Sequence, residues 1–395
     1  MVVRRSVAIN FACLILSFTL SLSLHAAEPT FVDPTATIVN IENVHLGDLV
    51  YIAPFALLKA GAGDRVIQVG DETNIQDSVT VDAKRGAVSL GEQVILAHGA
   101  TVKGPASLGE SGPCPKGAAQ CPSFVGFNAE VDGAIIEKNA MVLHLARVAP
   151  GVRIPSGLKV LPGKNVKSQA EVDAKTGEVD EFDQAFMNGV IEVNVAFAEQ
   201  YTVLAEEDEE NVFGINYDPG NTIFNPHRDL PTLAGVPTRA PDFRNRIIGD
   251  IQLSDDAKTL NKVMKSQISL RADEGEPFVV GHITSMKDRV TFHALEHSQM
   301  ILGANGIYGT GSLVHGGLPR SDPATQSGIN PTSTGTNFNL RSRAVFFSSR
   351  AGDNVTIGCK SLVAGTDLPS GRTIPSRRVI LGGVDVGAVE WGPCS

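Results

Sequence analysis

Between His45 and Val160 an aliphatic residue returns at every sixth position, commonly followed by glycine or another small residue. Leu46-Gly47 and Ile52-Ala53 open the series, and Val69-Gly70, Ile75 and Val81 continue it. Leu90-Gly91, Leu96-Ala97, Val102 and Leu108-Gly109 follow, then Ile136, Val142, Val148, Ile154 and Val160. A period of six fits neither the helical 3.6 nor the alternation of a half-buried strand. It fits a triangular coil in which each hexad forms one flat side and places one aliphatic side chain inside. Successive turns of three hexads stack at the ~4.8 Å strand spacing, so each interior side chain packs on its equivalents above and below. Small residues after the aliphatic position suit the tight corners. An irregular β-sandwich with accidental spacing is the alternative.

A second half repeats the scheme less regularly. Ala351, Ile357-Gly358 and Val363-Ala364 keep the hexad spacing, and "IPSRRVI" (374–380) echoes "IPSGLKV" (154–160). The stretch 318–337, rich in Pro, Ser, Thr and Gly, reads as a long surface loop. Between the halves, a helix is expected over about 182–204. Its stripe of Val190, Val193, Asn194, Phe197 and Tyr201 puts a polar asparagine on the packing face. The acidic run 206–210 reads as solvated, and a Pro/Asn-rich linker and arm continue to about 246. The expected organisation is therefore a leader (1–26), a first β-helix with its helix (30–205), a linker and arm (206–246) and a second β-helix (247–395).

The leader is read from Arg4 and Arg5, the apolar run from Val7 to Leu24, and the small residues Ala26 and Ala27. That is the pattern of a cleaved secretory signal rather than a retained span, with a twin-arginine route left open. An exported chain, periplasmic or extracellular, with no membrane insertion after cleavage, is the expectation. The whole chain carries a formal net charge of −10, which the loss of the two leader arginines makes more negative still. Such a surface argues against nucleic acid as a partner. Four cysteines follow the leader, and in an exported chain an even number suggests disulfides. The expected pairs are Cys114 with Cys121 and Cys359 with Cys394, unpaired thiols being the alternative. A zinc site made of these cysteines is disfavoured by the six-residue gap in "CPKGAAQC".

Each half also carries part of a polar constellation. The first has "VGDETNIQD", "LAHGATVKGP" and "EVNVAFAEQY"; the second has "SLRADEGEPFVVG", "VTFHALE" and "SLVHGG". These segments resemble γ-class carbonic anhydrases, over roughly 38–201 in the first half and 221–380 in the second. The fold class implied is mainly β: two tandem left-handed parallel β-helices with an α-helix packed after the first. Handedness comes from the resemblance and not from the spacing. The resemblance also implies homo-oligomers with trimer-like packing, and a metal held between neighbouring β-helices by two histidines of one and a third from the other.

The matching positions split between the halves. His293 and His315 match the two-histidine helix, and His98 matches the neighbour's ligand. The first half has Asp82 and Lys103 where the second has His293 and His315; the second has Thr310 where the first has His98. Asn74, Gln76, Asp77 and Asn194 are kept only by the first half. Arg271, Asp273, Glu274 and Glu296 are kept only by the second, where Ser285 and Lys287 replace Asn74 and Gln76. One composite site, formed within a chain or between chains, accounts for this sorting.

Three neutral imidazoles leave an open position on Zn²⁺, with Fe²⁺ or Co²⁺ also compatible. The chemistry implied is hydration of CO2 to bicarbonate by a metal-bound hydroxide at neutral pH. In the roles the resemblance implies, Gln76 orients the nucleophile and Asn194 holds CO2 or bicarbonate. Glu274 takes the proton and Glu296 passes it outward, while Arg271 pairs with Asp77 or Asp273 to brace the interface. His45, His144, His227, His282 and His297 have no matching motif position and read as structural or exposed. Two other functions compete: a catalytically inactive β-helix scaffold for protein interaction, and a hexapeptide acyltransferase. The charged and histidine cluster of the second half argues against the acyltransferase.

Overall fold

The computed structural model describes residues 29–207, 244–249, 251–274, 277–295, 298–317 and 332–394. The leader, most of the linker and arm, Glu296, His227 and His297 lie outside the described residues. Two parallel β-helices stand side by side, each with three sheets. The first has eight, seven and six strands; the second has eight, six and five. Both are left-handed parallel β-helices of the hexapeptide-repeat type.

Each hexad residue sits where the spacing places it. Ile52, Ile75, Leu96, Val125, Val142 and Val160 face one another through successive coils and are fully buried. Val81, Val102, Val131, Val148 and Val166 line the second side; Val69, Leu90, Leu108, Ile136 and Ile154 line the third. Burying each contributes about 1.5–3 kcal/mol. The second half fills its interior with larger side chains, among them Phe292, Tyr308, Phe338 and Phe346. Aromatic and methionine residues replace the uniform Val/Ile column there, which is why its period is harder to read.

Corner glycines are needed for contact between coils more than for backbone conformation. A Cβ on Gly70 would lie 2.5 Å from the Gly91 carbonyl carbon, and one on Gly91 would lie 2.5 Å from the Gly109 carbonyl oxygen. Neither glycine has a left-handed φ. Gly91→Ala is therefore expected to push adjacent coils apart and to cost about 1–3 kcal/mol in chemical denaturation.

The helix between the halves runs from Glu181 to Glu207, slightly longer than expected. Val190, Val193, Asn194, Phe197 and Tyr201 are all buried along one stripe. Two differences from the sequence reading stand out. Thr332–Thr334, inside the stretch expected as loop, form a strand paired with Met300–Leu302. Pro/Ser/Thr composition obscures it, but the β-branched threonines fit a pleated position. A short helix, Ala257–Val263, also went unread; the Asp256 side chain accepts from the Thr259 N–H (2.8 Å) and caps it. Disulfides join Cys114 to Cys121 and Cys359 to Cys394, with Cα–Cα distances of 5.6 and 5.8 Å. Among the described residues no helix is long and apolar enough to cross a membrane.

Candidate metal centre

The two halves meet along the outward face of one sheet from each. Strand alternation decides which residues reach the seam. In the second half, Phe292 and Val314 point inward, so His293 and His315, paired in register on adjacent parallel strands, point outward. Across the seam, His98 follows strand Val94–Leu96 at a corner of the first half. The long helix and apolar residues of both halves, including Phe124, Phe127, Val190, Leu313 and Phe347, seal the contact.

This packing brings the three histidines together within one chain. Their nearest nitrogens all lie within 4.8 Å of one another, and all three side chains are buried. His98 Nε2 is 3.3 Å from His293 Nδ1, which is 3.2 Å from His315 Nε2. Burial pushes His293 down to about 4, with the Arg271 charge adding to the effect. Burial also lowers His98 and His315, the former against the opposing pull of Asp77. All three rings are therefore neutral at pH 7 and have lone pairs to give.

The outer nitrogens of His98 and His315 face acceptors, as metal-bound imidazoles require. His98 Nδ1 lies 3.0 Å from Asp77 Oδ2. His315 Nδ1 faces the Gly316 carbonyl. His293 Nε2 has the Arg271 guanidinium at 3.1 Å and the Asp273 and Glu274 carboxylates at 3.6 Å each. Were Nδ1 to hold a metal, Nε2 would carry the proton, and the guanidinium would have to give way for either carboxylate to close to hydrogen-bond distance and accept it. Three buried neutral imidazoles converging on one point fit a divalent metal. No other His/Cys/Asp/Glu cluster of this kind occurs among the described residues.

Arg271 ties the halves together. Its side chain is buried, with Nε 3.5 Å from Asp77 Oδ2 across the seam and Nη1 3.4 Å from Asp273 Oδ2. Nη1 also donates to Tyr51 Oη, and the guanidinium lies against the Tyr51 and Phe197 rings. Tyr201 Oη donates to Asp273 Oδ2 (2.7 Å), and Ser269 Oγ donates to Asp77 Oδ1. Burial alone would raise Asp77 and Asp273, but Arg271 first, and their histidine neighbours next, hold both well below the usual carboxylate range. A second buried bridge, Arg246 to Asp33 at 2.9 Å, also crosses the seam.

Gln76, Asn194 and Glu274 line one small cavity with the three histidines. Phe124, Phe127, Phe186, Val190, Leu295 and Phe347 supply its apolar wall. Asn74 is buried behind, its Oδ1 accepting from Gln76 Nε2 at 3.2 Å. That bond leaves the Gln76 carbonyl oxygen as the acceptor toward the cavity. Asn194 Nδ2 donates to the Val190 carbonyl (2.8 Å) one turn back.

Among the histidines read as structural or exposed, His144 stacks on Phe127 with ring centroids 4.3 Å apart, and its Nδ1 accepts from the Phe127 N–H. His282 pairs with Asp255 at 2.6 Å, and His45 is exposed. The sequence reading gave no role to Tyr51, or to Tyr201 beyond its place on the helix stripe. Tyr201 was legible only as a polar-tipped aromatic on a buried stripe, and Tyr51 carried no signal. At the first-half positions corresponding to His293 and His315, Asp82 accepts from the Lys84 N–H and Lys103 pairs with Glu130 at 2.7 Å. Asp82 thus makes a local backbone contact, and Lys103 a partly exposed ion pair.

Paired β-helices with a three-histidine cluster in the seam have the arrangement that could hold a metal ion between repeats. Compared with known proteins, the chain is 32% identical over 196 residues to a carbonic anhydrase of Methanosarcina thermophila, covering 73% of that protein and 44% of this one. It is 25% identical to the mitochondrial gamma carbonic anhydrase 2 of Arabidopsis thaliana, covering 77% of that protein and 53% of this one. The crystal structure of a hexapeptide transferase family protein from Anaplasma phagocytophilum aligns at 24% identity with a TM-score of 0.28, over 91% of that chain and 43% of this one. No family model matches. The chain belongs to the γ-class carbonic anhydrase family.

Proposed function

We propose that this chain is an exported carbonic anhydrase that hydrates CO2 to bicarbonate at one composite metal site per chain. The observation that carries the reading is the convergence of His98 with His293 and His315 in a cavity also lined by Gln76, Asn194 and Glu274. His98 Nε2, His293 Nδ1 and His315 Nε2 would hold the ion, Zn²⁺ or another divalent metal that imidazole suits. When bound, it acts as a Lewis acid that lowers the pKa of a water to ~7. The chain's own groups do the rest. Gln76, its amide held by Asn74, accepts a hydrogen bond from the attacking water and aims its lone pair. The phenylalanine, valine and leucine wall offers CO2 an apolar berth, with Asn194 at its edge to hold an oxygen. Glu274, beside His293, takes the proton. Onward transfer through Glu296 lies outside the described residues. Two disulfides support an oxidising destination.

The test is stopped-flow CO2 hydration by the mature chain loaded with zinc, set beside Gln76→Leu. Activity is expected in the first, with a loss of about 10–100-fold in the second and its metal retained. Hydration at the uncatalysed rate by fully loaded protein would overturn the reading.

A further inference from the structure

A second, polar cavity of about 280 Å³ opens between the halves, on the other side of His98 from the apolar one. Its first-half wall carries Ser78, Lys103 and Asn128; its second-half wall carries Arg289, Ser312 and Arg343. None of these residues has a role in the proposed CO2 chemistry.

Three buried polar atoms on this wall have no hydrogen-bond partner: Ser78 Oγ, Ser312 Oγ and Arg289 Nε. Ser312 is 1% exposed. Buried polar atoms are almost always satisfied, so three orphans around one cavity mark a place where something else supplies the bonds. Charge says what that is. Arg289 and Arg343 are close enough to repel, burial and then Arg343 lowering Arg289 from its ordinary value. Among the described residues neither has a carboxylate within ion-pair distance. Asp288, next in sequence, is turned to the Ser266 N–H and hydroxyl. Glu130, the acid on the wall, is taken by Lys103 (2.7 Å) and Arg147 (2.8 Å). Behind the wall stands another cation, the buried Lys360 over the Trp391 ring. Like charges gathered without a counter-charge, among hydroxyl donors, suit an anion with several oxygens. Polar side chains from both halves line a cavity of about 280 Å³, which has room for a small anion together with its hydrating water.

We propose that this cleft binds one small inorganic oxyanion, of the phosphate, sulfate or bicarbonate kind, held by Arg289 and Arg343 with hydroxyl donation from Ser78 and Ser312. The site does not depend on metal at the three histidines, although His98 borders both cavities.

Calorimetric titration of the metal-loaded mature chain with inorganic phosphate tests it, with bicarbonate in a parallel arm. Saturable uptake of about one anion per chain is expected, weakening as chloride is raised. Arg343→Gln, at an exposed position that leaves the fold intact, and Arg289→Gln are each expected to weaken it by about tenfold or more. His315→Ala, which removes a metal ligand outside this cleft, is expected to leave it unchanged. Tighter phosphate than bicarbonate would mark a tetrahedral anion as the occupant; the reverse would mark the product of CO2 hydration. Absence of saturable binding overturns the proposal, as does binding that survives both arginine substitutions or vanishes in His315→Ala. The last result would place the anion at the metal.

Discussion

His98→Ala in the first half and His293→Ala in the second are each expected to lower CO2 hydration by more than about 100-fold. Loss of a residue that merely orients a ligand already costs about 10–100-fold, and loss of a ligand itself exceeds that. Neither change should unfold the chain. The hydrophobic columns of both β-helices are built without these side chains, which lie in the seam. The stronger expectation concerns the double substitution. His98 Nε2 and His293 Nδ1 face one point 3.3 Å apart, so removing the second ligand should cost almost nothing once the first is gone. Multiplying losses would mean two separate sites, and the composite account would fail.

The second large effect is on stability. Arg271→Met is expected to destabilise the chain by about 3–5 kcal/mol in chemical denaturation, because it leaves the buried Asp77 and Asp273 without their shared cation. Arg271→Lys should recover little. An ammonium cannot reach both carboxylates and Tyr51 at once while lying flat on Phe197. A substitution with no effect would mean that the apolar seam alone joins the halves. Protonation of the two aspartates on unpairing would reduce the loss, so the measurement belongs at pH 7 or above.

How much of this was legible differs by level. The first β-helix was, because every interior position is one aliphatic residue at one period, and Ile52 through Val160 occupy those columns. The second was legible only in part. Aromatic packing at Phe292, Tyr308 and Phe338 breaks the uniform pattern, and threonines stand in for aliphatic residues at Thr332–Thr334. The histidines stood out through their complementary gaps, but the sequence left open whether the halves meet within a chain or between chains. That depends on which outward faces pack, and outward faces carry no period. Pairing of Arg271 with both Asp77 and Asp273 was half-visible, since the reading offered the two carboxylates as alternatives and the structure uses both. Tyr51 was invisible. A tyrosine on a strand looks the same in sequence whether its hydroxyl meets water or a buried arginine.

The most direct test of the central claim is metal content per chain, measured by plasma mass spectrometry on mature protein made without affinity-tag histidines and reloaded with zinc. The account predicts about one metal per chain in the wild type, since an open three-imidazole site binds tightly, and almost none in either His98→Ala or His293→Ala. Metal retained in His98→Ala, or no metal in the reloaded wild type, would contradict it.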